Sequence, residues 1–183
     1  MASTKLANKA VGSIIKLKES GTLVEFYVAK HDYENGLNGN GRTLIVRKDC
    51  YDMRAFSSSN NAYANSALDS WLCGTYFKLL DADIQAAIGT TKFYYTPGNG
   101  NKTVATLQRA VFQLSFSELG GTTGGYANAE GSALPIASAL QTAYNNGNTV
   151  IQWTRSPYVN SNTVVCCFLP QAIGNYREYN FSL

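Results

Sequence analysis

Residues able to do chemistry are few in this chain and thinly spread. Asp49, Asp52 and Arg54 fall within six positions in RKDCYDMRAF. Two carboxylates so close can serve as acid and base on a glycosidic bond, or bind calcium through their oxygens. The mixed charges around them favour a salt-bridged turn instead. Asp81 and Asp83 form a second pair, at a predicted helix start, where a cap and a partner for the helix dipole is the stronger reading. Glu130 is a further acid, in a glycine-rich stretch. His31 is the only histidine; it follows a strand-like run, has no evident partner, and reads as a structural strand-end residue. Cys50, Cys73, Cys166 and Cys167 include no CxxC pair and do not make a zinc set. Cys166 and Cys167 are adjacent, so on a strand they face opposite sides. All four read as reduced, structural thiols. GNGNKT at 98–103 lacks the spacing of a phosphate loop and reads as a turn. No catalytic residue, metal or cofactor is expected.

QWTRSPY, residues 152–158, concentrates a different set of groups. Trp153 is read as a core residue at a strand end. Arg155 has five donors and is read as bridging to a carboxylate or to loop carbonyls. Pro157 fixes the direction in which the chain leaves. Trp71, in a helical run, belongs to the same structural group. Beyond Pro157 the polar positions are dominated by tyrosine and asparagine. The chain has 12 tyrosines, many beside Asn, Ser or Gly, as in GGYANAEG, YNNGN, YVNSN and GNYREYN. Tyrosine offers contact area at small entropic cost, and Ser, Gly and Asn offer adaptable hydrogen bonds. Tyr158, Asn160, Asn162, Tyr176, Arg177, Tyr179 and Asn180 are therefore the candidate contact residues.

The elements that must position these groups follow from periodicity. Strands are predicted at 11–17, 23–31 and 43–49, with a hairpin turn over Lys18–Gly21. Ser66 and Asp69 form a capping-box-like helix start, and Leu68, Trp71, Leu72, Tyr76, Leu79 and Leu80 recur at helical spacing. Gly74 weakens that helix and predicts a bend or break. Asp81 is expected to cap a second short helix that stops at Gly89. Residues 110–116 read as a strand, and 120–132 as a glycine-rich surface loop. A third helix is expected from Pro135, through Ile136, Leu140 and Tyr144, to Gly147. The tail returns to strand at 149–154, 163–169 and 176–183. This is a single α+β domain over 11–183 behind an N-terminal arm, 1–10. Its mixed or antiparallel sheet is drawn from both chain ends, two to three helices lie between, and the late loops of 156–183 form the candidate binding surface.

AVGSIIKLKESGTLVEFYVAKHDY, TLIVRKDCYDMRAF, SALDSWLCGTYFKLLDADIQAAI and QWTRSPY together resemble an uncharacterised domain family common in Firmicutes and their phages. Its members carry a Trp-Leu-x-x-Thr-Tyr helix, a Leu-Leu-Asp-x-x-Ile helix start and a late Trp-x-Arg-Ser-Pro. The resemblance covers roughly residues 10–160. More remotely, the late motif is similar to the C-type-lectin-like fold of formylglycine-generating enzymes and of the variable proteins of diversity-generating retroelements. It implies a fixed scaffold that displays a surface after Pro157. The calcium motifs of sugar-binding lectins are not matched, and the adjacent Cys166 and Cys167 do not reproduce the copper-binding cysteine pair of the enzymes.

A net charge of +3 with no like-charged block speaks against nucleic-acid binding, and no apolar run approaches a membrane span. The first 21 residues lack the apolar stretch of a secretory signal, so synthesis in a bacterial host cytoplasm is expected. The expected function is a non-enzymatic binding or structural module of a phage or prophage virion. It would be displayed as a homo-oligomer towards virion proteins or a host cell-surface glycan or protein. The alternatives are a capsid or tail decoration protein, and a cell-wall glycan-active enzyme using Asp49, Asp52 or Glu130.

Overall fold

Val24, Phe26 and Val28 alternate with Glu25, Tyr27 and Ala29 along TLVEFYVAK, and a period of two makes an extended strand. The computed structural model, which describes residues 5–168 and 178–179, has the pairs β1 (Ile14–Glu19) with β2 (Thr22–Lys30), and β2 with β3 (Leu44–Arg47). Together they form an antiparallel sheet ordered β1-β2-β3. Ser20 and Gly21 turn the first hairpin with φ of 52° and 79°, the left-handed pair that suits the twist of two strands. Val28 and Ala29 are both fully buried, at an irregularity in the pairing with β3 where Ala29 is the extra residue. One helical turn, α1 (Asn35–Asn38), lies between β2 and β3.

Ser66 caps α2 (Ala67–Trp71): its Oγ accepts from the Asp69 amide at 3.1 Å. The helix changes character from Leu72 on, in a turn that contains Gly74, where a bend or break is expected. Leu72–Tyr76 is a π turn and Phe77–Leu79 a 3-10 turn. α3 (Ala82–Ala87) follows. Asp81 stands at its N-cap but makes no capping bond; it pairs instead with Lys18 Nζ at 3.8 Å, which ties the helix start to β1.

Two expectations fail in the middle of the chain. Residues 110–116 are not a strand; the hairpin is β4 (Thr91–Tyr95) with β5 (Ala105–Arg109). In 110–116, side chains replace ladder partners. The Gln113 amide donates to Tyr63 Oη at 3.0 Å and the Phe116 amide to Ser156 Oγ at 2.9 Å. The third helix is only α4 (Ala137–Leu140). The chain then forms the hairpin of β6 (Ala143–Asn145) and β7 (Asn148–Val150), turned by Asn146 and Gly147 with φ of 51° and 79°. Asn-Gly is the strongest short hairpin signal, and it overrides the helical spacing of Leu140 and Tyr144.

β8 (Gln152–Pro157), β9 (Val165–Phe168) and β10 (Glu178–Tyr179) form the last sheet, with β9 in the centre. The whole is one α+β domain. Tyr33, Phe56, Tyr63, Phe93, Leu119 and Val165 are the fully buried centre of its core, supplied by segments from most of the described chain.

Candidate functional site

Arg155 heads the fully buried side chains by volume. A guanidinium cannot shed its charge, so burial demands partners. Nε donates to the Tyr94 carbonyl at 2.9 Å, and Nη1 to the Gln113 carbonyl at 2.9 Å and to Glu118 Oε2 at 2.7 Å. Its guanidinium carbon lies 4.6 Å from the Phe93 ring centre. Burial works against its charge, but Glu118, Tyr33 and Glu130 override that and hold its pKa above the ordinary arginine value. Glu118 also accepts from Tyr33 Oη and from the Ser115 amide. Burial and the Glu118 carboxylate push the Tyr33 phenol far above its ordinary pKa.

Glu130 is the second buried acid and does something further. Its Oε1 accepts from the Thr96 amide at 2.8 Å and its Oε2 from Ser156 Oγ at 2.8 Å. Its own amide donates to Ser117 Oγ at 3.0 Å. Thr96 begins the 96–103 loop, Glu130 ends the 120–131 loop, and Ser156 precedes the 157–163 loop. One carboxylate therefore joins the roots of three loops. Burial raises its pKa, while Arg155 at 3.7 Å and the hydrogen bonds from Thr96 and Ser156 pull the other way.

Further out, the loops are tied to one another. The fully buried Asn61 donates from Nδ2 to the carbonyls of Ser161 and Val164 at 2.7 and 3.0 Å. Its Oδ1 accepts from the Asn99 amide at 2.7 Å. Gly98, at φ 75°, packs so close that an added Cβ would lie 2.8 Å from the Asn61 carbonyl oxygen. Asn128 Nδ2 donates to the Lys102 carbonyl at 2.7 Å, and the Val159 amide to the Tyr126 carbonyl at 2.8 Å.

The tips carry the exposed groups. Tyr158 is half-buried and tilts against the exposed Tyr126, with ring centres 6.3 Å apart. Asn160 is exposed and donates weakly to the Gly125 carbonyl at 3.4 Å. Asn162 is exposed, with its side chain near Gly100. Of the predicted contact residues, Tyr158, Asn160 and Asn162 thus share one surface. Tyr179 pairs with Val165 at the edge of the last sheet. Tyr176, Arg177 and Asn180 lie outside the described residues. Tyr126, Asn99 and Asn101 belong to the surface but were not among the predicted contacts; their membership in Tyr/Asn/Gly-rich loops was the available signal. The 120–132 stretch is only partly a surface loop, because Ala127 and Glu130 are buried to complete the core and the loop roots.

The other candidate groups have structural partners. Asp52 pairs with Arg54 Nη2 at 2.7 Å, and the Asp49 carbonyl accepts from Arg47. His31 bonds Thr43 Oγ1 at 2.9 Å and the Lys9 carbonyl at 2.8 Å. Cys50 and Cys73 are free thiols, and burial pushes Cys167 up to about 12 and Cys73 to about 11. Trp153 is half-buried against the core and donates from Nε1 to the Arg54 carbonyl at 2.9 Å. Trp71 stacks under Arg54, whose guanidinium carbon is 3.8 Å from its ring centre. Pro157 is buried at the end of β8. Among the described residues, no cluster of three His, Cys, Asp or Glu side chains could hold a metal ion.

Comparison with protein families gives one match. The model described as a domain of unknown function (DUF6273) covers residues 40–180. That is most of the chain, and the chain belongs to this family. No curated protein and no solved structure matches it.

Proposed function

We propose, taking membership of a family without an assigned activity as the premise, that the chain is a binding module whose working surface is the three-loop cluster. The observation that carries this reading is the clamp beneath it. Glu130 and Asn61 hold the roots and flanks of loops whose tips present Tyr126, Tyr158, Asn160 and Asn162. Phenols and neutral amides on a rigid base suit stacking and hydrogen bonding, and rigidity lowers the entropic cost of recognition. The resemblance to proteins of Firmicutes phages makes a phage or prophage particle the setting. A host cell-surface glycan or a neighbouring virion protein is then the partner. A C-type-lectin-like scaffold belongs to the same proposal. Display in several copies would raise a weak single-site affinity.

The test uses a multivalent form of the full chain, presented to intact host cells, host envelope fractions and purified particles. Binding to one of these is expected. A Tyr126→Ala/Tyr158→Ala double variant should lose at least tenfold in binding while its melting temperature stays within a few degrees. Absence of binding to all three, or equal binding by the double variant, refutes the reading. Copy number per particle, from quantitative mass spectrometry, separates host attachment from decoration: a few copies favour the first, and a capsomer-like number the second.

A further inference from the structure

The first sheet has an open edge. Among the described residues, β3 pairs with β2 alone. The Lys48 amide donates to the Glu25 carbonyl at 3.0 Å, and this sets the phase of the ladder. Phe26–Arg47 and Val28–Ile45 are then its non-hydrogen-bonded pairs. The backbone N–H and C=O of Ile45 and Arg47 consequently point away from β2, and no described group bonds to them. All four residues of β3 are half-buried, though three are Leu, Ile and Val.

This edge lines a cavity of about 910 Å³, towards the upper end of the roughly 300–1,000 Å³ typical of ligand sites. Leu17, Leu72, Ile84, Val111, Phe112 and Trp153 also line it, each only half-buried. Among the described residues, two polar side-chain atoms are buried without a partner, Arg54 Nε and Gln152 Oε1. Both residues line the cavity. The lining therefore carries one spare donor, on Arg54, and one spare acceptor, on Gln152. Buried polar groups ordinarily find partners, so an orphan donor and acceptor beside an open edge describe a binding partner's needs. Cations dominate the lining: seven lysines and arginines against three aspartates. Lys5, Lys9 and Arg42 form no ion pair with a described residue.

We propose that this cavity is a strand-accepting slot, which takes an extended peptide segment of a partner protein beside β3. Ile45 and Arg47 supply main-chain bonds, and the half-buried apolar walls take alternate side chains. Arg54 Nε receives a peptide carbonyl and Gln152 Oε1 a peptide N–H. The cationic lining selects a segment with acidic residues flanking an apolar-alternating centre. The slot shares no lining residue with the crevice between the three loops. It is therefore a second site, and it stands or falls independently of the loop surface.

The test uses the full chain and a synthetic peptide of alternating valine and threonine between flanking aspartates. Saturable binding is expected, with slowed hydrogen exchange at the Ile45 and Arg47 amides. N-methylation of two central peptide amides should weaken binding about tenfold, the worth of two lost hydrogen bonds. Ile45→Pro should do the same, because it removes an outward N–H and leaves the bonds to β2 intact. The methylated peptide keeps the test decisive if that variant misfolds. Equal affinity for methylated and unmethylated peptides overturns the proposal, as does no binding. Full protection of the Ile45 and Arg47 amides in the free protein also overturns it, since the edge would then be filled by this chain or a second copy.

Discussion

At Arg155 a permanent charge is held with no exposure to water, and two acids within reach compete for it. Arg155→Lys keeps the charge but cannot reproduce the fork that spans Tyr94, Gln113 and Glu118. It leaves Glu118 poorly paired, and a broken buried pair costs about 3–5 kcal/mol. Chemical denaturation of the variant should show a loss of that order; a loss below about 1 kcal/mol would put the pair among weak surface bridges. Glu130 gives a prediction of the opposite flavour. Its carboxyl has a folded pKa above its unfolded one, so the folded state holds the proton more tightly. Its contribution is greatest below the unfolded pKa, near pH 4.5, and declines as pH rises through the folded value. Glu130→Gln removes that decline. The melting temperature of the wild type relative to the variant should therefore fall as pH rises from 4.5 towards neutrality. A flat difference across that range would contradict the assigned direction.

At the scale of elements, glycine separates backbone need from packing need. Gly147 and Gly98 both sit at positive φ, 79° and 75°. Nothing lies within 4 Å of a Cβ on Gly147, whereas one on Gly98 meets Asn61 and Ala62. Gly147→Ala should cost about 1 kcal/mol, the left-handed penalty alone. Gly98→Ala should cost clearly more and loosen the 96–103 loop. Equal melting shifts for the two would deny the Asn61 contact its importance. The same elements show what the residues announce and what they hide. β1 to β3 are legible because alternation and a Ser-Gly turn agree, and α2 because Ser66, Asp69 and the apolar spacing agree. The break around Gly74 is legible for the reason of propensity. The β6–β7 hairpin is hidden by helical spacing around Leu140, although Asn146-Gly147 states it openly. The 110–116 segment, which is not a strand, cannot be read locally at all. Its partners, Tyr63, Arg155 and Ser156, lie about 40–50 positions away. The structural role of Arg155 is legible from its five donors. Its acids are not, since Glu118 and Glu130 acquire their meaning only when the loops close.

For the molecule as a whole, two recognition surfaces are built on different principles. The slot beside β3 offers backbone groups, while the loop cluster offers side chains on a clamped base. The loop design makes a simple prediction about length. Six glycine and serine residues inserted between Thr122 and Thr123, where Thr122 is exposed, should lower stability by less than about 1 kcal/mol, because closure entropy grows slowly with length. The same insertion between Thr96 and Pro97 displaces the amide that Glu130 holds and should lower the melting temperature by several degrees more. Similar losses at the two positions would mean that the base is not a clamp. If the clamp holds as described, it also shapes inheritance. Substitutions at the tips escape the selection that guards Glu130, Asn61 and Arg155, so descendants of one ancestor can keep nearly every interior residue and still diverge in what they bind. In such a lineage, similarity between two sequences reports shared architecture and says little about shared targets.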